Sequence, residues 1–307
     1  MAFRGKVSLV TGGAKGVGHC IGKEIIQRID PSFTFMCTRD STVGCIPLLG
    51  QELGMHAAKA KARFITMDIR DKNSVKKNRD DLVKEFGGLD ILVNNAGVYL
   101  KADKDHFPEQ VKKIMETNYY GTKNVIKTFY HDFNEGARIV NITSNLAHVK
   151  AEINKELCER KAEARLRFKG VGSEEELDDL LNLFQDDVKE GLWEEKGWPM
   201  CAYSISKMAI NTYTRILQKE FEDRRRNVIV SAVYPASHHK DIDKGDAAVI
   251  ADEEAAAFVF TIATFPDSKD LPKGRVIWDE KKIMELYNDA TLKGEITFGN
   301  KFVTWDE

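Results

Sequence analysis

Val7-Ser8-Leu9-Val10-Thr11-Gly12-Gly13-Ala14-Lys15-Gly16-Val17-Gly18 decides the fold of this 307-residue chain. A short apolar run closed by turn residues reads as a buried strand. Ile21, Ile25, Ile26 and Ile29 then recur at helical spacing. Strand, glycine turn and helix in this order bring a helix N-terminus, with its N–H donors and positive dipole end, against a pyrophosphate. Glycine clusters alone are common in turns; the flanking strand and helix make this one a dinucleotide site. Gly12, Lys15, Gly16, Val17 and Gly18 are the residues expected to touch the cofactor.

The same alternation continues outward. Further strands are expected at Phe33–Met36, Arg63–Thr66, Ile91–Val93, Arg138–Ile142, Val228–Val233 and Gly274–Trp278, and a long helical pattern runs from Gln110 to Phe129. Strand-helix alternation implies right-handed crossovers. The expected fold is therefore α/β, a doubly wound Rossmann-type parallel sheet of about seven strands. Residues 150–198 interrupt the pattern with two charged amphipathic segments, Glu152–Arg167 and Ser173–Lys189, the second opened by the capping box Ser173-Glu174-Glu175-Glu176. Because the strand pattern resumes afterwards, this is a helical insertion. Residues 1–280 read as one domain and residues 281–307 as a C-terminal extension.

Composition narrows the function. Charged residues make up 31% and the formal net charge is −2, which gives no global attraction to nucleic acid or anionic membrane. Cys20, Cys37, Cys45, Cys158 and Cys201 form no C-x-x-C pair, and an odd count argues against a disulfide framework. Reduced thiols, a start that leads straight into a strand, and no apolar run of about 20 residues are read as a cytoplasmic protein without a membrane span.

Two further sets of residues carry chemistry. Arg39 follows the second strand about 20 residues beyond Gly18, where an acid would select NAD and an arginine neutralises a 2′-phosphate. With Lys15 as a second cation, NADPH is the expected cofactor. Tyr203 and Lys207 stand four residues apart at the start of an apolar-striped helix, so both project from one face. A phenol of pKa about 10 is a poor acid at neutral pH, and a neighbouring ammonium lowers it. Ser144 ends the fifth strand, at the edge where ligands lie, and can orient a carbonyl.

Thr11-Gly-x-x-x-Gly-x-Gly18, Asn94-Asn95-Ala96-Gly97, Asn118, Ser144 and Tyr203-x-x-x-Lys207 together resemble the short-chain dehydrogenase/reductases. Leu89–Gly97, Thr117–Thr122, Glu195–Pro199 and the insertion before Tyr203 are similar to their monomeric NADPH-dependent carbonyl reductases. The resemblance covers residues 5–280. It implies reduction of ketones, aldehydes or quinones, with Tyr203 as proton donor. Lys207 would lower the phenol's pKa and bind the nicotinamide ribose. Ser144 would hold the substrate oxygen, and Asn118 would anchor a water in a proton relay. Asp68 and Ile69 would contact adenine, and Asn95 and Pro235 would line the cofactor cleft. It also implies a monomer, the insertion covering the surface through which relatives dimerise.

The chain departs from that family after the sixth strand. Tyr234-Pro235-Ala236-Ser237-His238-His239-Lys240 places Ala236 where a glycine is usual and Lys240 where a threonine is usual. Two other readings therefore stay open: an NADP-binding regulatory protein without turnover, and an alcohol or hydroxysteroid dehydrogenase working oxidatively. Neither His238-His239, which lacks a third ligand, nor the Arg224-Arg225-Arg226 run supports a metal or nucleic-acid site.

Overall fold

A computed structural model describes residues 5–40, 45–56, 61–147, 155–235, 251–265 and 273–277. Seven parallel strands, β1 (Lys6–Thr11), β2 (Ser32–Thr38), β3 (Ala62–Thr66), β4 (Leu89–Asn94), β5 (Phe133–Ile142), β6 (Val228–Val233) and β7 (Val276–Ile277), form one sheet in the order β3-β2-β1-β4-β5-β6-β7. β4 and β6 are buried at every residue. That is why Leu-Asp-Ile-Leu-Val-Asn and Val-Ile-Val-Ser-Ala-Val read as near-continuous apolar runs rather than alternating ones: both faces of a parallel sheet are covered. The chain winds outward from β1 to β3, then crosses back to β4. β1 and β4 lie side by side, with Thr11 paired to Asn94, so the strand order reverses there and opens a crevice at their carboxyl ends. β7 is shorter than expected, and Trp278 lies outside the described residues.

Helices cover both faces. α1 (Gly16–Arg28) and a helix at Asp252–Thr264 share one core with the sheet, where Ile21, Ile25, Val93, Phe258 and Ile262 meet. α2 (Cys45–Leu53) lies on the same side, beside β3, with its Leu49 clustered with Ile26 of α1 and Met36. On the other face lie α3 (Lys72–Phe86) and the rod formed by α4 (Phe107–Ile114) and α5 (Thr122–Phe129). Between α4 and α5 the residues Met115–Gly121 wind as a π-helix. Helical periodicity alone reads the whole rod as regular. The wider turn instead seats Asn118, whose amide is bonded on two sides, and brings Gly121 against Ile69: a Cβ at Gly121 would lie 2.8 Å from the Ile69 side chain.

The insertion forms α6 (Lys155–Lys169) and α7 (Glu174–Lys189), with Ser173 Oγ accepting from Glu176 N at 3.1 Å as the capping box requires. α6 runs two residues beyond its expected end; its expected first residues lie outside the description. Both helices pack on α8 (Ala202–Asp223), and α7 also packs on α4. Phe168, Leu181, Phe184 and Trp198 are buried in the same core as the sheet. The Trp198 indole donates to Asp187 at 2.7 Å, so burying this ring leaves no polar atom unpaired. Among the described residues no helix is long and apolar enough to cross a membrane.

Candidate active site

α8 begins at Ala202, immediately after the Cys201 N-cap, so Tyr203 and Lys207 occupy its first two turns. Both point to the carboxyl end of β5. Lys207 Nζ donates to the Ile142 carbonyl at 2.7 Å and lies 5.5 Å from the centre of the Tyr203 ring. Only 5% of Lys207 is exposed, and burial brings its ammonium down to about 8. Tyr203 hydrogen-bonds Ser144, whose hydroxyl also accepts from Leu146 N at 3.2 Å. Ser204 donates to the Leu146 carbonyl at 2.6 Å, fastening that turn to α8. Ser144, Tyr203 and Lys207 are thus brought together as the spacing suggests.

The electrostatics differ from the sequence expectation. Burial pushes the Tyr203 phenol above its ordinary value, the hydrogen bond with Ser144 opposes that rise, and Cys201, Tyr99 and Tyr234 add to it. Lys207 directs its proton at a backbone carbonyl instead, an acceptor that a sequence does not display. The phenol here is a protected acid rather than an activated base.

Asn118 stands beside this group as a brace. Its Oδ1 accepts from Val98 N at 2.8 Å, and its Nδ2 donates to the Val98 carbonyl at 3.0 Å and to Ser206 Oγ at 3.1 Å. Ser206 in turn donates to the Tyr203 carbonyl at 2.7 Å. Both amide protons being used within the protein, the side chain ties the β4 exit to the first turn of α8. Tyr99, on that exit, meets Tyr203 edge to face, with ring centres 5.2 Å apart and planes at 86°. Sequence reasoning missed it; its place just past Asn94-Asn95-Ala96-Gly97, at a strand end facing the crevice, was the available signal.

The glycine loop lies on the other side of the crevice. Gly12 and Gly16 have φ of +65° and +58°, backbone that favours glycine. Thr11 Oγ1 accepts from the N–H groups of Asn95 and Ala96, both at 3.0 Å. Asn95 Nδ2 donates to the carbonyls of Thr11 at 3.0 Å and Gly12 at 3.2 Å, so the loop is bolted to β4. Lys15 caps α1 without a side-chain hydrogen bond to its first turn. The Val17 side chain lies in the core, which leaves its backbone as the part on the loop side.

Arg39 is exposed just past β2, with Nε 3.4 Å from Asp40. Asp68 is held below the usual carboxylate range chiefly by the Arg70 guanidinium, with Arg39 contributing. Arg70 grips it through both oxygens, Nη2 at 2.6 Å and Nε at 3.0 Å. This clamp was not foreseen, although Asp68-x-Arg70 is visible in the sequence. Ile69 is buried and its carbonyl accepts from Asn124 at 2.8 Å. Pro235 is buried at the end of β6; Ala236, His238, His239 and Lys240 lie outside the described residues.

Residues 6–156 match the family model of the short chain dehydrogenases. The mouse (Mus musculus) protein carbonyl reductase (NADPH) 1 is 32% identical over 278 residues, covering 90% of this chain and 96% of that protein. Human (Homo sapiens) carbonyl reductase (NADPH) 3 is 31% identical over 284 residues, covering 91% and 98%. Among solved structures, salutaridine reductase from Papaver somniferum has a TM-score of 0.71 at 27% identity, covering 89% of this chain and 99% of that one.

Proposed function

The chain belongs to the short-chain dehydrogenase family, and from that premise we propose that it is an NADPH-dependent carbonyl reductase. One observation carries the reading: a Tyr203 phenol, kept protonated by burial, hydrogen-bonded to Ser144 with Lys207 one turn away. The residues present suit a dinucleotide. Gly18 lets α1 pack closely on the loop, since a Cβ there would meet the Gly12 carbonyl and Asn95, and the first turn of α1 supplies N–H donors to a pyrophosphate. NADPH supplies the hydride when bound. Gly12, Lys15, Gly16, Val17, Gly18 and Asn95 would hold its pyrophosphate end, Asp68 and Ile69 its adenine, and Lys207 and Pro235 the region near the nicotinamide.

Ser144 would share its hydroxyl with the substrate carbonyl oxygen, and Tyr203 would donate a proton to that oxygen as negative charge builds on it. A donor must be protonated before the step, which burial ensures. Lys207 would then stabilise the phenolate left behind. Asn118 would keep Val98 and the start of α8 in register. Because α6 and α7 cover α8, the same reading makes the protein a monomer.

Following NADPH oxidation against quinones, α-dicarbonyls and ketosteroids tests the reading. Turnover with at least one class supports it; tight NADPH binding with no turnover across the panel would favour the regulatory alternative. Since the Lys207 ammonium titrates near 8, kcat/KM for reduction is expected to be flat below neutrality and to fall through about pH 8. A rate unchanged to pH 9.5 would remove that charge from the reaction. Arg39→Ala is expected to cost about 1.5–3 kcal/mol of charge-assisted hydrogen bonding to a 2′-phosphate, roughly tenfold or more in KM for NADPH, with little change for NADH. Equal losses with both cofactors would refute the role of Arg39.

A further inference from the structure

Tyr99 is an aromatic residue beside the proton donor that the proposed chemistry leaves without a task. Its backbone cannot slide freely: Asn118 grips both the N–H and the carbonyl of the preceding Val98, and Val98 and Leu100 on either side pack on the main core. Its ring stands at 86° to Tyr203, with centres 5.2 Å apart. A second phenol, Tyr234, bears on Tyr203 from the end of β6 and is itself pushed up by burial. Tyr203 is therefore flanked by the Tyr99 ring, which follows directly on the backbone that the Asn118 brace holds, with Tyr234 near enough to act on its charge.

That arrangement has a consequence for substrate shape. A carbonyl oxygen accepting from Tyr203 must come within about 3 Å of its hydroxyl. The atoms attached to that carbonyl then fall beside the Tyr99 ring. A flat conjugated system can lie against an aromatic face or edge with favourable quadrupole contact. A bridged or branched carbon frame at the same place meets a ring whose neighbouring backbone is held at Val98.

Resting on the carbonyl-reductase reading, we propose that Tyr99 is the specificity-determining residue of this site and that it selects planar, conjugated carbonyl substrates such as quinones over bridged alicyclic ones. The residue acts on the carbonyl substrate, so its influence belongs in KM for that substrate and not in cofactor binding.

The test compares Tyr99→Ala and Tyr99→Phe in the full chain, with menadione as the flat substrate and camphorquinone as the bridged one. Tyr99→Ala is expected to lower kcat/KM for menadione about fivefold, through KM, which is the worth of one aromatic pair. The same change is expected to raise kcat/KM for camphorquinone, so their ratio falls at least about tenfold. Tyr99→Phe keeps the ring and is expected to keep the ratio. KM for NADPH serves as the check on folding. An unchanged ratio in Tyr99→Ala, or equal losses with both substrates, overturns the assignment. Calorimetric titration of menadione into protein saturated with NADP⁺ needs no turnover. There, about fivefold weaker binding in Tyr99→Ala with normal binding in Tyr99→Phe supports the assignment. Wild-type protein that binds menadione but reduces no carbonyl would sink the reductase reading and still leave Tyr99 to be judged on this binding. Failure to bind menadione, or binding unaffected by Tyr99→Ala, sinks the assignment itself.

Discussion

Tyr203→Phe is expected to lower kcat for carbonyl reduction by roughly 10³-fold, within the range that a positioned general acid contributes. The substitution removes one oxygen and little else. The ring stays edge to face with Tyr99, and the backbone carbonyl still accepts from Ser206. The lost hydrogen bond with Ser144 costs about 1 kcal/mol of stability. The fold and the cofactor site should therefore survive while the proton loses its source. Steady-state rates with menadione, paired with a fluorescence titration of NADPH, separate the two effects. Retention of more than a tenth of wild-type kcat would show that another group protonates the carbonyl oxygen.

Gly18→Ala is expected to weaken NADPH binding by roughly 100-fold, equivalent to about 2.7 kcal/mol. The reason is spatial. A Cβ at this position would stand 2.3 Å from the Gly12 carbonyl oxygen and 2.4 Å from Asn95 Nδ2. No packed atoms sit so close, so either α1 retreats from the loop or Asn95 releases its two carbonyls. Each response misdirects the N–H groups aimed at the pyrophosphate. Overpacking of this kind also costs about 1–3 kcal/mol of stability, readable as a fall in Tm. Gly136→Ala provides the control: that glycine, unlike Gly18, has positive φ, +77°, and nothing lies within 4 Å of its Cβ position. It should show the cost of backbone strain, about 1–2 kcal/mol, with NADPH affinity unchanged. Equal affinities for NADPH in the two variants would mean that the glycine cradle does not hold the cofactor.

Much of this was open to reading from the chain alone. Buried parallel strands announce themselves as apolar runs, and a helix brings residues four apart to one face, so the sheet and the Tyr203–Lys207 pair follow from local rules. The parts that escaped depend on partners distant in sequence. Lys207 finds a backbone carbonyl in β5, 65 residues away. The direction of the Tyr203 shift comes from burial, with Tyr99 and Tyr234 adding to it from distant segments. Asn118 was recognised by its family position, but its grip on Val98 and Ser206 appears only once three elements meet. The π-helical stretch escaped because its apolar residues satisfy the ordinary helical period as well as their own.

That stretch, Met115–Gly121, also makes stability and alignment pull in opposite directions. An i→i+5 ladder is a rare and less favourable winding than an i→i+4 one. Deleting a single residue there would let the backbone relax into a regular helix and strengthen the rod. It would also swing the Asn118 amide off Val98 and Ser206, and with it the registration of the crevice wall against α8. Selection for a more robust molecule would shorten this turn; selection for a working one keeps its length fixed.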